Sequence, residues 1–301
     1  MLVVGEALVD VVRRGGESEA HPGGSPLNVA IGVQRLGLNA TLHSRFGRDR
    51  HGLAVAAHLA ASGVAVTPGT ITREATSVAV ATIGQDGAAQ YDFSIDWNPA
   101  PLDVAAFPSR ALHVGSIGSW LEPGASLVED LVRAARPHAT ITFDPNVRPA
   151  LMPQHADAVS RVERLVALAD VVKASDEDLD WLYPGTDPAV VLDRWLGLGP
   201  ALVIATRGAA GADSVTRSGR LRTPAPNVTV ADTIGAGDSF MAGLIAGLDD
   251  EGLLGHQRRD GLRDIPASSQ RYVLELAARC AAITTTRVGA NPPTRADILA
   301  L

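Results

Sequence analysis

Short apolar runs that alternate with helical segments constrain the fold of this chain more than any other feature. Runs rich in β-branched residues, each followed by turn residues and a helical pattern, read LVVGEALVD, ALHVGS, ATITFD, DVVKAS and ALVIATRG. This alternation is typical of βαβ units, in which helices cover a parallel sheet. Because 301 residues are near the upper size for one hydrophobic core, we expect a single α/β domain over residues 1–301 with a small appendage.

The expected appendage is a small β-sheet. SVAVATI and QYDFSID alternate apolar and polar residues around GQDGAA, a pattern that predicts an antiparallel hairpin with one wet face. We expect a lid formed approximately by residues 11–20 and 73–100 that covers a ligand. An apolar face containing Val78, Val80 and Phe93 or its neighbours would pair two lids across a two-fold axis, which predicts a homodimer.

Composition excludes several kinds of partner. The formal net charge is −7, so we expect neither nucleic acid nor an anionic membrane to bind, because both require a clustered basic surface. The densest basic run, Arg258 and Arg259, is short and predicts a solvated part of a polar loop over about residues 249–268. No apolar run approaches the ~20 residues that span a bilayer, and the N-terminus lacks a basic signal segment, so we expect a soluble cytoplasmic protein.

The segment DTIGAGDSFMAG, from Asp232 to Gly243, predicts a helix N-terminus that is stripped of side chains. The amides of Gly235, Ala236 and Gly237, together with the helix dipole, would bind the charge that develops on a transferring phosphoryl group. Asp238 would then accept the proton of an attacking hydroxyl. A helix-capping role for Asp238 is the alternative, but capping does not explain the glycine pair before it.

A second segment, GGSPLNVAIGVQRLG, predicts a helix in which Ser25 caps the start, Pro26 takes the first helical position and Gly37 ends the helix. With DTIGAGDSF, and with Gly47 inside FGRDRHG, this segment resembles the signatures of the ribokinase family of sugar kinases, also called the phosphofructokinase-B family. The resemblance covers essentially the entire chain. It implies a ribokinase-like three-layer α/β/α core with a mostly parallel central sheet, a small β-sheet lid, and ATP with Mg²⁺ as cofactors.

On this resemblance, sugar hydroxyls would bind Asp10, Gly24 and Asn28, and Gly23 would let the backbone approach the sugar closely. A carboxylate and an amide together suit a polyol. The alternatives are a polar residue on an exposed helix face for Asn28 and a strand-end turn former for Asp10.

TFDPNVRP, from Thr142 to Pro149, resembles both the fructokinase branch of the family and 2-keto-3-deoxygluconate kinases. Its Arg148 is a candidate catalytic residue that would contact a phosphate or a substrate carboxylate through two hydrogen bonds. A salt bridge between Arg148 and Asp144 is the alternative, since both follow the same strand.

The resemblance also implies a nucleotide site. In KASDEDLDWL, Ser175 and Asp178 occupy positions that hold magnesium-bound phosphates through water, and a charged first helical turn is the alternative. In ALVIATRGAAGA, the residues Thr206, Gly208 and Gly211 would contact the nucleotide along with Gly237. TTTRVGANPP, from Thr284 to Pro293, would close the adenine pocket and, with Asp232 and the Ile234 carbonyl, hold a monovalent cation such as K⁺.

Taken with the resemblance, these residues predict an ATP-dependent sugar kinase that converts fructose to fructose 6-phosphate. Two alternatives stay open, namely a 2-keto-3-deoxygluconate kinase and a catalytically silent sugar-binding relative. The sequence contains no Walker A, HExxH or Gly-x-Ser-x-Gly motif, and VVGEALVD lacks the glycines that seat a dinucleotide.

Overall fold

A nine-stranded sheet forms the centre of the molecule. The structure, a computed structural model, describes residues 1–15, 17–83, 89–152 and 154–300. Within this part of the chain the strands are β1 Leu2–Val4, β2 Leu8–Arg14, β3 Glu17–Gly23, β4 Thr41–His43, β5 Ala65–Val66, β6 Val78–Ile83, β7 Ala89–Ser94, β8 Ala111–Gly115, β9 Thr140–Asp144, β10 Val171–Ser175, β11 Leu202–Thr206, β12 Ala212–Thr216 and β13 Gly219–Thr223. The order in the large sheet is β13-β12-β11-β10-β9-β8-β1-β4-β5, and neighbouring strands pair in parallel except β11 with β12 and β12 with β13, which pair antiparallel.

Helices cover both faces of this sheet. They are α1 Ser25–Arg35, α2 Arg50–Ala61, α3 Gly124–Ala135, α4 His155–Leu168, α5 Asp176–Leu182, α6 Pro188–Leu198, α7 Ala236–Asp250, α8 Arg259–Arg263, α9 Ala267–Thr285 and α10 Arg295–Leu299. Successive strand residues enter different cores. Val3 packs with α1, α7 and α9, while Leu2 and Val4 pack with α3, α4 and α6. The predicted three-layer α/β/α fold with a mostly parallel sheet is thus confirmed.

The run LVVGEALVD forms two strands rather than the single strand predicted. β1 ends at Val4, and β2 belongs to the small sheet. The chain turns at Gly5, where a side chain would overlap the ring of Pro26 at the start of α1. Asp10 therefore lies inside a lid strand and not at the end of the first strand of the large sheet. The apolar residues before Gly5 and after Glu6 make the segment resemble one strand and conceal this break.

The small sheet has the order β3-β2-β6-β7 and occupies the region expected for the lid. β6 and β7 are antiparallel, as predicted, and the expected turn falls on residues 84–88, outside the described residues. The predicted apolar face is wrong. Phe93 pairs with Ala79, so it lies on the face opposite Val78 and Val80, which pack against the main core.

The FGRDRHG segment anchors this lid to the core. Asp49 caps α2 by accepting a hydrogen bond from the Gly52 amide at 2.8 Å. Its carboxylate also accepts bonds from the Thr76 amide and hydroxyl, both at 2.8 Å, just before β6 begins. The Thr76 hydroxyl accepts a further bond from the Gly47 amide at 2.9 Å. Gly47 and Asp49 therefore both hold Thr76, just before the strand that enters the lid.

Glycines let three helices approach one another closely. A Cβ at Gly32 of α1 would lie 2.6 Å from the Cβ of Ala242 in α7. A Cβ at Gly243 would lie 2.8 Å from the Cα of Ala277 in α9 and 2.8 Å from Cys280 Sγ. Since real Cβ atoms do not approach other atoms this closely, the position of α7 between α1 and α9 depends on these glycines.

The polar loop predicted near residues 249–268 is partly helical and less solvated than expected. α7 continues to Asp250, and α8 occupies Arg259–Arg263. Arg259 donates two hydrogen bonds to the carboxylate of Asp170, at 2.6 and 3.1 Å, and Asp170 is buried. Charge in the sequence suggested a solvent-exposed position, but a buried carboxylate holds the guanidinium.

In the part of the chain that the structure describes, none of the helices has the length and apolar character needed to cross a bilayer.

Replacing Gly243 by alanine should destabilise the fold. The added methyl group would overlap the backbone of α9, and we expect the free energy of unfolding to fall by about 1–3 kcal/mol. Gly197→Ala in α6 is the matched control, because nothing lies within 4 Å of its added Cβ. We expect Gly197→Ala to raise the free energy of unfolding by about 0.5 kcal/mol. Urea unfolding followed by circular dichroism measures both, and equal stability of Gly243→Ala and wild type would contradict the packing argument.

Candidate active site

A cavity of 840 Å³ opens where the parallel strands end and the lid begins. Most of the predicted site residues line it, namely Asp10, Gly24, Asn28, Arg148, Ser175, Asp178, Thr206, Gly208, Ile234, Gly235, Gly237 and Asp238. Ala236 and Gly211 line an adjoining cavity of 580 Å³. Gly23 and Asp232 line neither cavity in the described part of the chain. The structure therefore brings together residues that lie up to 228 positions apart, from Asp10 to Asp238.

Asp238 lies in the first turn of α7 and is 8% exposed. Its Oδ1 accepts a hydrogen bond from the Ser25 hydroxyl at 2.6 Å, and its Oδ2 accepts one from the Asn28 side-chain amide at 2.8 Å. The N-cap of α7 is Gly235, and no side chain caps this helix. The capping alternative for Asp238 is therefore wrong, and two donors from α1 fix its carboxylate at the cavity.

Ser25 does not cap α1, contrary to the prediction. The N-cap position belongs to Gly24, so Ser25 and Pro26 are the first two helical residues. Gly24 has φ +110, and a Cβ there would lie 2.6 Å from the Glu6 carbonyl oxygen. Because the chain enters α1 one residue earlier than expected, the Ser25 hydroxyl is available to Asp238. Gly37 has φ +94 directly after the C-cap of α1, as predicted.

Two of the three amides of the predicted anion hole are available to a ligand. Gly235 has φ +75, and a Cβ there would lie 2.6 Å from the Ala290 side chain. The Ala236 amide donates to the Thr233 carbonyl at 3.2 Å. The amides of Gly235 and Gly237 have no acceptor among the described residues. These two N–H groups are what the N-terminus of α7 can offer to an anion.

Sequence reasoning missed Lys173, the buried cation of the site. Its Nζ donates to Asp144 Oδ2 at 2.8 Å, and both side chains are at most 5% exposed. The alternative salt bridge between Arg148 and Asp144 is therefore wrong. Burial raises the pKa of Asp144 to about 6 despite the ammonium beside it. Burial alone would lower the pKa of Lys173, but the carboxylates of Asp144, Asp178 and Asp238 outweigh it and raise that pKa.

Arg148 lies at the exposed rim of the cavity. Its guanidinium donates to the carbonyl oxygens of Val147, at 2.9 Å, and Asn146, at 3.4 Å. It also attracts two carboxylates that line the cavity. Burial raises the pKa of Asp10, and the charges of Arg148 and His21 partly offset this. Burial likewise raises the pKa of Glu6 to about 7, with a smaller opposing effect of Arg148.

Sequence reasoning also assigned no role to Glu6. Its carboxylate is 3% exposed and accepts a hydrogen bond from the Gly118 amide at 2.8 Å. A polar residue within the apolar start of the chain was the available signal. Ser116 and Asn146 follow β8 and β9 beside it, and both have positive φ, of +51 and +39. Non-glycine residues in this strained conformation concentrate at functional sites.

Ser175 and Asp178 form a capping box at the start of α5. The Asp178 amide donates to the Ser175 hydroxyl, and Asp178 Oδ2 accepts from the Ser175 amide at 2.8 Å. Asp178 Oδ1 accepts from the Val147 amide at 2.7 Å, which ties α5 to the loop after β9. The first turn of α5 is therefore charged, as the alternative interpretation expected. Asp178 is also buried and lines the cavity.

The 580 Å³ cavity has no charged lining residue among the described residues. It shares Thr206, Gly208, Thr233 and Gly237 with the larger cavity, so the two meet at the N-terminus of α7. The segment Thr284–Pro293, which was predicted to close the adenine pocket, contributes Thr285 to the 580 Å³ cavity. Sequence reasoning missed the remaining walls, namely Ala209, Ala225, Pro226, Asn227, Val228, Val230, Phe240, Ala278, Ala281 and Ala282. An apolar slot beside free amides suits a nucleobase beside its phosphates.

Asp232 links the turn before α7 to the C-terminal segment. Its Oδ1 accepts from the Ile234 amide at 3.0 Å, and its Oδ2 accepts from the Gly289 amide at 2.8 Å. These backbone hydrogen bonds lower the pKa of Asp232. The carboxylate therefore stays ionised next to the loop predicted to hold a cation.

Comparison with known proteins identifies the class of this chain. The sequence model of the pfkB family carbohydrate kinases matches residues 2–297. The chain therefore belongs to the pfkB family, as the sequence motifs predicted. It is a sugar kinase, an enzyme that transfers a phosphoryl group to a sugar hydroxyl.

Its relatives include fructokinases. A fructokinase from Rhizobium leguminosarum bv. trifolii is 34% identical over 265 residues, which cover 84% of this chain and 81% of that protein. A fructokinase from Klebsiella pneumoniae is 34% identical over 297 residues, covering 96% and 94%. The crystal structure of Xylella fastidiosa fructokinase with bound ATP superposes with a TM-score of 0.87 at 27% identity, covering 100% of this chain and 97% of the other. That of a Vibrio cholerae O395 fructokinase double mutant with fructose, ADP and potassium ion has a TM-score of 0.80 at 25% identity, covering 99% and 97%.

Replacing Glu6 by glutamine should change how stability depends on pH. The pKa of Glu6 is 4.5 in the unfolded chain and about 7 in the folded protein. Protonated Glu6 therefore stabilises the fold fully below pH 4.5, and this stabilisation is lost as the pH rises through 7. Between pH 5 and pH 8, the free energy of unfolding of Glu6→Gln should therefore rise by about 2–3 kcal/mol relative to that of the wild type. Urea unfolding at both pH values measures this gain. Glu275→Gln on the exposed face of α9 is the control, and an equally small change in both variants would contradict the buried titration.

Proposed function

We propose that this sugar kinase is a fructokinase that transfers the γ-phosphoryl group of ATP to a primary hydroxyl of fructose. The observation that carries the proposal is the Asp238 carboxylate. It is held by Ser25 and Asn28 at the N-terminus of α7, beside the free amides of Gly235 and Gly237. A fixed base next to an anion-binding helix terminus suits phosphoryl transfer, because it can take the hydroxyl proton beside the groups that bind the developing charge.

The reaction follows from this placement. The sugar hydroxyl oxygen attacks the γ-phosphorus, and the bond between that phosphorus and the β,γ-bridging oxygen breaks to release ADP. The hydroxyl proton passes to Asp238. The Gly235 and Gly237 amides bind the charge that develops on the transferred group. The nucleobase would occupy the 580 Å³ cavity, with Thr206, Gly208 and Gly211 along the nucleotide and Ser175 near its phosphates.

Mg²⁺ would accompany the nucleotide. Among the described residues, no cluster of three or more histidine, cysteine or acidic side chains is placed to hold a metal. This fits magnesium, which usually takes one or two carboxylates and completes its shell with phosphates and water. Both Asp178 oxygens accept backbone hydrogen bonds but keep a second lone pair, so Asp178 fits contact through water. Bound Mg²⁺ would supply positive charge to the phosphates.

The charge of the cavity favours a neutral sugar. Six acidic side chains line it, against two basic ones, Arg148 and Lys173. Lys173 is paired with Asp144, and Arg148 already attracts Asp10 and Glu6. A substrate carboxylate would therefore meet a negative potential, whereas a polyol can accept and donate hydrogen bonds here. This charge balance favours fructose over 2-keto-3-deoxygluconate. Asp10, Gly24 and Asn28 would contact the sugar. The use of ATP suits a location in the cytoplasm.

The Asp238→Asn variant tests the proposal. Removing the base should lower kcat with fructose by about 10³-fold, while the fold is retained because asparagine keeps the shape of the side chain. A coupled ADP-release assay with ATP and Mg²⁺ measures turnover of fructose, ribose, 2-keto-3-deoxygluconate and adenosine. Asp260→Asn in the first turn of α8, also an aspartate in the first turn of a helix, is the matched control and should keep full activity.

Each other outcome has a definite meaning. Turnover of the keto acid alone would assign Arg148 to a substrate carboxylate and refute fructose. Sugar binding without turnover would identify a silent relative. Wild-type rates in Asp238→Asn would remove Asp238 from the chemistry.

A monovalent cation near Asp232 should support activity. The ionised Asp232 and the Ile234 carbonyl lie at the turn that precedes the anion hole, so a bound K⁺ would order the Gly235 amide. We expect kcat/KM for ATP to fall several-fold when choline replaces K⁺ at constant ionic strength, and Asp232→Ala to be less sensitive to this exchange. Identical wild-type activity in both salts would contradict the site.

The homodimer through the lid also remains part of the proposal. Val78 and Val80 are half-buried against the core and Phe93 lies on the opposite face of the small sheet, so these three residues do not form one apolar patch. Light scattering that detects a strict monomer would refute the dimer.

A further inference from the structure

Lys173 extends from the middle of β10 toward the N-terminus of α7. Val171, two residues before it, packs in the core that contains α7, and the adjacent Val172 packs in the opposite core. Alternate strand residues share a face, so Lys173 lies on the α7 side of the sheet. A Cβ at Gly237 would lie 3.0 Å from Lys173 Nζ. The ammonium group is therefore adjacent to the anion hole.

The ammonium also has unused hydrogen-bonding capacity. Lys173 Nζ carries three donors, and within the described residues Asp144 is its hydrogen-bond acceptor. Lys173 is 4% exposed and lines the 840 Å³ cavity. Asp144 accepts one hydrogen bond from the ammonium. The remaining N–H groups have no acceptor in the described part of the chain. A ligand oxygen in the cavity could accept from them.

The buried ion pair of Lys173 and Asp144 is not explained by its contribution to the stability of the fold. Removing two charges from water costs about as much as their attraction returns, so apolar residues of similar volume would often serve the fold as well. The charge balance of the site suggests another reason. Asp144, Asp178 and Asp238 all act on Lys173. Without its positive charge, the carboxylates of Asp178 and Asp238 would repel a phosphoryl group that approaches the anion hole.

We propose that Lys173 is a catalytic residue that donates a hydrogen bond to a non-bridging oxygen of the γ-phosphoryl group, and that Asp144 positions it. The proposal rests on the proposed kinase function. Lys173 keeps its proton throughout, because the hydroxyl proton goes to Asp238 and the leaving group is ADP. Its role is to supply a full positive charge where the two free amides supply only dipoles.

A pair of variants separates this role from that of a counter-ion for Asp144. Asp144→Asn removes the buried carboxylate and leaves Lys173 charged. In this variant the asparagine oxygen can still accept the Lys173 hydrogen bond, and the carboxylates of Asp178 and Asp238 remain as counter-charges for the ammonium. Asp144→Asn with Lys173→Met removes both charges of the pair. We expect the double variant to have a kcat with fructose at least 100-fold below that of Asp144→Asn, with the sugar KM changed less than three-fold. Equal kcat in the two variants would overturn the proposal while leaving the kinase function intact.

A binding measurement judges Lys173 whichever sugar is the substrate. Calorimetry with Mg²⁺ compares ADP with a non-hydrolysable ATP analogue in both variants. If Lys173 contacts the γ-phosphoryl group, the preference of Asp144→Asn for the ATP analogue should fall about ten-fold in the double variant. An unchanged preference would count against the contact even if no sugar is phosphorylated. Loss of the preference in a protein that phosphorylates none of the sugars would support Lys173 and refute the proposed acceptor.

Discussion

The close packing of α7 between α1 and α9 positions the rest of the site. Gly32 faces Ala242 on one side, and Gly243 faces Ala277 on the other, so the helix backbones approach to distances that side chains would prevent. At this spacing, the first turn of α1 lies beside the first turn of α7. The hydroxyl of Ser25 and the amide of Asn28 then reach the carboxylate of Asp238. Helix packing thus determines the orientation of the base.

A site that binds phosphate and also contains many carboxylates must balance its charges. Acidic side chains from the lid, from the turn after β1 and from the start of α5 line the cavity, and burial raises the pKa values of Glu6 and Asp144. Lys173 is the buried cation among the groups that line it. Its position beside Gly237 places the positive charge at the phosphate end of the cavity, whereas Arg148 lies at the rim beside Asp10 and Glu6. The two ends therefore differ in the ligand groups that they favour.

Local patterns predicted what depends on local geometry. The strands β8 to β11, the αL residue Gly37 and the glycine-lined start of α7 follow from short-range rules, and the structure has them. Predictions failed where a residue's partner is distant in sequence. Ser25 was expected to cap its own helix but binds Asp238, 213 positions away. Arg148 was expected beside Asp144, but Lys173 occupies that place. The apolar lid face combined residues that strand register puts on opposite faces.

The α/β alternation, the family and the glycine-rich helix terminus with its aspartate could all be predicted from the sequence, because each depends on residues that are close together in the chain. Three features became visible in the folded chain alone. LVVGEALVD divides between two sheets, α9 and the segment Ala225–Val228 line the apolar cavity, and Lys173 lies beside the anion hole. These features depend on burial and charge pairing, which are set by the elements that meet in space. Sequence spacing constrains such contacts within one helix or strand, but not between elements.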